Sequence, residues 1–283
     1  MKKLKSQIKT KSIFCNVLLL QKYLKTILLL LFIVTFSSCK KESTIIPPSL
    51  GSDLTELKNI HVGLYIDNGA GGIDQVKSML NQLGCFYSTI NKDTILTSDL
   101  NKYDLILFPG GDMWVYKSHL SAMGINKIKE YVQFGGGYIG ICAGSYFAAD
   151  KIVWRGWANE PRRYHTISGL GFFSGIADGP IDDFAPTYQV NNCIVNINRY
   201  HPITSDISQQ LDYFYSFGPK FIIADSSSVS ILGQSASGNN SVVLAIQYKL
   251  GRVFLTGLHP EFDDDKSSWK LISNAILWCS NKL

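Results

Sequence analysis

Residues 135–146 read GGGYIGICAGSY, and this stretch constrains the fold more than any other. Three glycines lead into an apolar, β-like run over 138–141, then Cys142, then Ala143-Gly144 and a helix-like continuation. The centre, Gly140-Ile141-Cys142-Ala143-Gly144, has the G-x-nucleophile-x-G form of a nucleophile elbow, with cysteine in the serine's place. A strand that turns sharply into a helix needs small residues on both sides of the apex, because a side chain there would strike neighbouring backbone. The apex side chain then stands at the edge of the sheet, and the next N–H points toward whatever it attacks. The stretch therefore predicts a strand-elbow-helix unit with Cys142 as a candidate nucleophile. A buried core cysteine in a tight turn is the plainer alternative.

The chain around the elbow reads as strands alternating with helices. Residues 59–67 (NIHVGLYID) form an apolar first strand that ends in Asn68-Gly69-Ala70-Gly71-Gly72. Ile73, Val76, Met79, Leu80 and Leu83 then recur at helical spacing. The glycine loop matches neither a dinucleotide nor a P-loop pattern, so tight turning explains it better than phosphate binding. Short strands follow over 85–90 and 103–108, the latter (YDLILF) apolar throughout, as a parallel strand covered on both faces should be. It runs into Pro109-Gly110-Gly111-Asp112, and 125–134 has helical spacing before the elbow strand begins. The order implies an α/β fold with an open, mostly parallel, doubly wound sheet. Ligands of such sheets bind at the carboxyl ends of the strands, which is where both the glycine pair and Cys142 fall.

The middle is less regular. Trp154, Arg155 and Trp157, with Arg162, Arg163 and Tyr164, form an aromatic and arginine cluster, readable as a pocket wall for an anionic or planar substrate or as a solvated loop. Residues 170–184 are rich in turn signals, 192–197 alternates like a strand, and 203–211 carries no pattern. Strands return over 220–224, 229–232, 242–248 and 252–256, with turn residues that predict an antiparallel extension toward the C-terminus. A helix over 267–280 closes the chain, with Asp263, Asp264 and Asp265 available for its acidic start.

The N-terminus belongs to targeting rather than to the fold. Seven lysines and no acid precede Cys39, an apolar run covers 27–36, and Ser37-Ser38 stand before the cysteine. The run is too short to span a bilayer, which takes about 20 residues, but it suits an export signal. Small residues before Cys39 resemble the lipobox of bacterial lipoproteins. That resemblance implies removal of 1–38, lipidation of Cys39 and, with Lys40 next, anchoring in the cell envelope at the outer membrane. Residues 39–58, with Pro47-Pro48, read as a polar tether, and 59–283 as the folded domain. The whole chain has 27 basic and 22 acidic residues; without the signal the balance is near neutral, which removes the case for nucleic acid. Cys85, Cys142, Cys193 and Cys279 have no C-x-x-C spacing, so neither zinc nor thioredoxin-like chemistry is expected. No metal and no cofactor is expected.

A thiol nucleophile needs a base, and the base needs an orienting group. His259 and Glu261 suit these roles. In an extended segment residues i and i+2 point the same way, and the strand over 252–256 would deliver them to the edge that holds Cys142. The Ala143 N–H, with one from Gly110 or Gly111, could hold an oxyanion. His61, His119, His165 and His201 lack ligand spacing and read as structural.

Four motifs in order, FPGGD at 108–112, GGGYIGICAGSY at 135–146, GFFSGIADGP at 171–180 and GLHPEF at 257–262, resemble the class I glutamine amidotransferase superfamily. The resemblance is greatest to the amidotransferase-like N-terminal domain of biotin-protein ligases, in its stand-alone bacterial form. It implies a Cys142-His259-Glu261 triad, an oxyanion site at Gly110, Gly111 and Ala143, and substrate contacts near Asp112, Ser145, Tyr146 and Arg155. Working glutaminases read G-x-C-x-G-x-Q; here Ser145-Tyr146 follow Gly144, so free glutamine is not the expected substrate. There is no G-R-G-R-x-G loop for biotinyl-adenylate, so biotin ligation is not expected either. The resulting expectation is a lipid-anchored cysteine hydrolase acting on a small-molecule or peptide amide or ester. The competing expectation is a ligand-binding module on the same scaffold without turnover.

Overall fold

The alternation of apolar strands and helices is realised as a 13-stranded mixed sheet. The computed structural model describes residues 56–155, the backbone of 163–166, and residues 169–185, 190–263 and 266–283. The export segment, Cys39, Trp157 and Arg162 lie outside the described residues, as do the side chains of Arg163, Tyr164 and His165 and residues Asp264 and Asp265. Leu57 is already buried in the core, so the folded part begins slightly ahead of the expected start at 59.

The parallel half of the sheet consists of β1 (His61–Tyr65), β2 (Phe86–Ile90), β3 (Leu105–Phe108), β4 (Gly137–Ile141) and a late strand, Gly251–Thr256. Their spatial order is β2-β1-β3-β4 and then the late strand, each pair parallel. Leu105 and Leu107 of β3 pack with one core cluster, and Ile106 and Phe108 with the other. The unbroken apolar run thus reflects burial on both faces, with each such side chain contributing about 1.5–3 kcal/mol. On one face lies α1 (Ile73–Gln82); on the other lies α3 (Met113–Gln133), which is broken at Ser121, where φ is 58°. Between them α2 (Lys92–Thr97) follows its N-cap Asn91.

The elbow is built as its sequence demanded. Cys142 sits at φ 47° and ψ −101° between β4 and α4 (Ala143–Ala148), a backbone state that non-glycine residues hold only when their surroundings impose it. A Cβ on Gly140 would lie 2.8 Å from the Gly144 carbonyl, and one on Gly144 would run into the Phe108 carbonyl of β3. Both flanking glycines are therefore required by close approach.

The rest of the sheet is β5 (Ala149–Trp154), β6 (Arg163–Thr166), β7 (Phe173–Gly179), β8 (Asn191–Ile197), β9 (Gln210–Tyr215), β10 (Lys220–Ile223), β11 (Val229–Ser235), β12 (Ser241–Tyr248) and β13, the late strand Gly251–Thr256. The meander β11-β12-β13 is antiparallel, as predicted. Beyond β12 the sheet continues through β10, β7, β5 and β6, while β8 and β9 form a hairpin-like flap paired to β11. Strands β5, β7 and β9 were not anticipated. The burial patterns of β5 (BeeBBi) and β7 (BeiiBBB) lack the period of two that a half-buried strand shows, whereas β9 (eBeBiB) has it, with Leu211, Tyr213 and Tyr215 buried in alternation. The closing helix α5 spans Trp269–Cys279, and Asp263 accepts from the Ser268 backbone N–H at 2.8 Å just ahead of it.

Candidate active site

The carboxyl ends of β3, β4 and β13 open onto a cavity of about 520 Å³, and Cys142 and His259 both line it. The Cys142 N–H donates to the Thr256 carbonyl at 2.9 Å, which ties the elbow apex to the end of β13. His259 follows three residues after that strand, and its own N–H donates to Phe214 O at 2.9 Å. Its imidazole is held on both sides. Nδ1 lies 2.7 Å from Glu261 Oε1, and Nε2 lies 3.1 Å from the Ser216 carbonyl oxygen. The Cys142 thiol donates to the same Ser216 oxygen at 3.6 Å. The rings of Phe214 and Phe262 stand edge-on to the imidazole.

The His259–Glu261 contact forms by a different path from the extended one that the sequence suggested. Pro260–Phe262 is a 3-10 turn and not an extended segment, yet Glu261 still reaches the back of the ring. Its carboxylate is fully buried and lies near the N-terminus of α1: a Cβ on Gly72 would stand 3.5 Å from Oε1. The positive end of that helix favours a negative charge there.

Burial alone would push the His259 pKa down. The nearby Cys142 sulfur and Glu261 carboxylate act the other way, and the net result is a value well above that of an ordinary histidine. All four described cysteines are unpaired, and burial pushes Cys85 and Cys193 up to about 12, with Cys279 higher still.

The glycine pair sits directly above the imidazole. Gly110 and Gly111 pair antiparallel with Ala70–Gly71, so the first glycine loop serves to brace the second. Asp112 N–H donates to Gly69 O at 2.8 Å. By the alternation of an antiparallel ladder, the Gly110 N–H then also faces the partner segment while the Gly111 N–H faces away. Gly111 lines the cavity. Ala143 opens α4, a position whose N–H has no intrahelical acceptor.

The candidate substrate contacts separate into distinct classes. Tyr146 lines the cavity, and its hydroxyl donates to Phe217 O at 3.0 Å. Asp112 also lines it, but its carboxylate caps α3, accepting from the N–H groups of Trp114 and Val115 at 2.8 and 3.3 Å. Ser145 is fully buried, with its hydroxyl engaged by Gly140 O, Thr256 O and Thr256 N–H; the expectation that it contacts substrate is corrected to a staple between β4 and β13. Arg155 pairs with Asp182 and does not form part of the cavity wall, so the expected anion-holding role is not where the structure puts it. The sequence reading missed Met113, Trp114, Ser216 and Phe217, and it placed Trp154 only within a cluster; all five line the cavity. The turn Phe217-Gly218-Pro219 after β9 was the available signal.

The other described histidine side chains, those of His61, His119 and His201, serve the scaffold. His61 contacts Ser88 Oγ and Lys102 O, and His119 pairs with Asp67 at 2.9 Å. His201 packs against Trp278 and is lowered to about 4 by burial and by Arg252.

Comparison with known proteins agrees with the fold. Among solved structures, a glutamine amidotransferase is 17% identical, covers 78% of this chain and 98% of its own, and superposes with a TM-score of 0.54. A ThuA-like protein from Bacteroides uniformis is 15% identical, covers 78% and 91%, and gives 0.55. At such identity these matches speak for the fold alone. An uncharacterized protein of Chlamydia muridarum is 28% identical over 163 residues, 56% of this chain and 60% of its own length. The biotin–protein ligase of Schizosaccharomyces pombe is 27% identical over 225 residues, 74% of this chain but 34% of its own length. This chain thus spans less than two thirds of the length of either relative. The family model for the N-terminal part of biotin-protein ligase matches residues 66–275, a span that runs from the end of β1 into α5 and takes in the elbow, both glycine loops and His259. With nearly the whole described domain inside that match, the chain belongs to the biotin-protein ligase N-terminal family.

Proposed function

We propose that this chain is an exported, lipid-anchored cysteine hydrolase that cleaves a small-molecule or peptide amide or ester through a thioester on Cys142. The observation that carries the reading is the convergence on one cavity of an elbow cysteine and a histidine backed by a buried carboxylate, Nδ1 to Oε1 at 2.7 Å. Packing alone gives no reason to bury this pair beside an elbow thiol.

In this reading His259 and Cys142 form an imidazolium–thiolate pair. The thiolate attacks the substrate carbonyl carbon, and the carbonyl oxygen takes up negative charge facing the N–H groups of Gly111 and Ala143. Gly111 replaces Gly110 in that role because the Gly110 N–H is directed at the Gly71 partner segment. As the tetrahedral intermediate collapses, the C–N or C–O bond breaks and the imidazolium proton passes to the departing amine or alkoxide. Water, deprotonated by the now neutral His259, then attacks the thioester; the acid is released, and Cys142 and His259 return as the ion pair. Glu261 keeps Nδ1–H in place throughout. The walls supplied by Trp114, Tyr146, Trp154 and Phe217 suit an apolar or planar acyl group, and no lysine or arginine lines the cavity among the described residues. Cys39 would carry the lipid and hold the protein at the outer membrane. The reading assigns no biotin ligation.

The test is mass-spectrometric trapping of an acyl adduct. The full chain is mixed with a panel of aryl- and alkyl-acyl thioesters and nitrophenyl esters. A mass increase equal to the acyl group on Cys142, absent in Cys142→Ala and accumulating less in His259→Ala, is the expected result. If aryl compounds bind equally to wild type and Cys142→Ala and no adduct forms with any of them, the scaffold is a binding module and the hydrolase reading fails.

A further inference from the structure

The His259 ring meets an acceptor at each nitrogen. Nδ1 faces a carboxylate oxygen at 2.7 Å and Nε2 faces the Ser216 carbonyl oxygen at 3.1 Å. A carbonyl oxygen only accepts. A neutral imidazole has one bare nitrogen, so either tautomer would set a lone pair against an oxygen lone pair. Only the doubly protonated ring satisfies both contacts. Where a base is paired with a thiol alone, its charge depends on the thiolate; here two oxygens of the scaffold provide for it independently.

The Ser216 carbonyl is held by more than its own strand. Ser216 opens the turn after β9, and Phe217 is at φ 60°, an unfavourable state for an aromatic residue. Tyr146 of α4 donates its hydroxyl to Phe217 O at 3.0 Å. Tyr215 donates to Gly218 O at 2.9 Å, and Gly218 packs so tightly on Gly257 that a Cβ would overlap the Gly257 carbonyl. Tyr146 occupies the position two residues after the elbow glycine. It therefore connects the nucleophile helix to the turn that aims the Ser216 oxygen.

We propose that the Ser216 carbonyl, aimed by Tyr146 through Phe217, is a built-in second acceptor that favours the doubly protonated state of His259 in the resting enzyme beyond what the charge of Cys142 provides, and that Tyr146 is a positioning residue for it. This rests on the reading of His259 as the base of Cys142. The same oxygen takes the Cys142 S–H at 3.6 Å, so it can also receive the thiol proton's hydrogen bond when the sulfur is neutral. Among the described residues the titratable groups that act on the ring are Cys142, from the elbow, and Glu261, from its own turn. The strand β9 presents only Phe214 to it, and the β3–α3 loop presents the Gly110 backbone.

The test uses the full chain with ¹⁵N-labelled histidine and follows the His259 ring nitrogens by NMR against pH. In Cys142→Ala, where no thiolate exists, both nitrogens are expected to keep imidazolium shifts above the ordinary histidine midpoint of about 6.5. Adding Tyr146→Phe, which removes one hydroxyl and frees the turn, is expected to lower the midpoint by about one unit. If the ring in Cys142→Ala titrates at the ordinary value, or if the Tyr146→Phe double variant titrates with the single variant, the proposal is overturned. The Cys142→Ala measurement alone suffices should the double variant fail to fold. It is also independent of turnover: a protonated ring with no acyl adduct in the preceding experiment would sink the hydrolase reading and leave this one standing.

Discussion

Replacing Gly110 by alanine tests the placement of His259 without touching a reacting group. A Cβ at this position would lie 2.9 Å from His259 Cε1, 3.5 Å from Nδ1 and 3.9 Å from Cys142 Cβ. To restore ordinary carbon contact near 3.5 Å the ring must retreat by about 0.6 Å. It has little room to do so, because Glu261 and Ser216 grip its two nitrogens and Phe214 and Phe262 pack against it. Gly110 does not sit in the left-handed region, so alanine adds no backbone strain. A misplacement of about 1 Å costs on the order of 10²-fold in rate, so a loss of roughly 10- to 100-fold is expected for Gly110→Ala. The assay is the second-order rate of Cys142 alkylation by iodoacetamide near neutral pH, resolved by peptide mass spectrometry, with near-ultraviolet circular dichroism to confirm the fold. A folded Gly110→Ala protein that alkylates at the wild-type rate would refute the placement of the imidazole beneath the glycine pair.

Ser145→Ala should lower stability and leave the chemistry nearly alone. Its buried hydroxyl serves Gly140 and Thr256, so removal should cost about 1–3 kcal/mol and lower Tm by several degrees, measured by calorimetry. A change confined to ligand selectivity, with Tm unmoved, would return Ser145 to the cavity. His201 should make the fold acid-sensitive: its folded value of about 4 lies below the unfolded value of about 6.5. The unfolded state therefore binds the proton first, and stability present above the unfolded value is lost as pH falls toward the folded one. Allowing for partial solvent screening, the loss is about 2 kcal/mol, and urea melts of His201→Gln should show a flatter acid limb than wild type; parallel limbs would contradict the assignment.

The parallel half of the fold was legible because its strands are buried on both faces and its turns demand glycine. β3 and the elbow are the clearest cases: continuous apolar runs that end in glycines at the site edge. The antiparallel meander was legible through its turn residues. Strands β5 and β7 were not, since their burial follows the local shape of the sheet and not a two-residue alternation; β9 does alternate, with Leu211, Tyr213 and Tyr215 turned inward, and was passed over because the patternless stretch 203–211 runs into its first residues. α3 was read only in its second half because the break at Ser121 interrupts the helical period, although Asp112 was present as an N-cap signal. Of the site, Cys142, His259 and Glu261 could be named from spacing and resemblance. Ser216 could not, because what it contributes is a main-chain oxygen, and no side chain advertises that. Ser145 misled for a related reason: adjacency to the elbow in sequence put it beneath the sheet edge, where its hydroxyl joins strands.

The proposed hydrolase stands on activation of Cys142 by His259, and the rate of Cys142 alkylation with and without the imidazole measures that activation. Cys85, Cys193 and Cys279, pushed up by burial, serve as controls within the same molecule. In the wild type Cys142 is expected to react far faster near neutral pH than Cys85, Cys193 or Cys279, and His259→Ala is expected to slow Cys142 by roughly 10²-fold or more. Equal rates for Cys142 in wild type and His259→Ala across the pH range would contradict it.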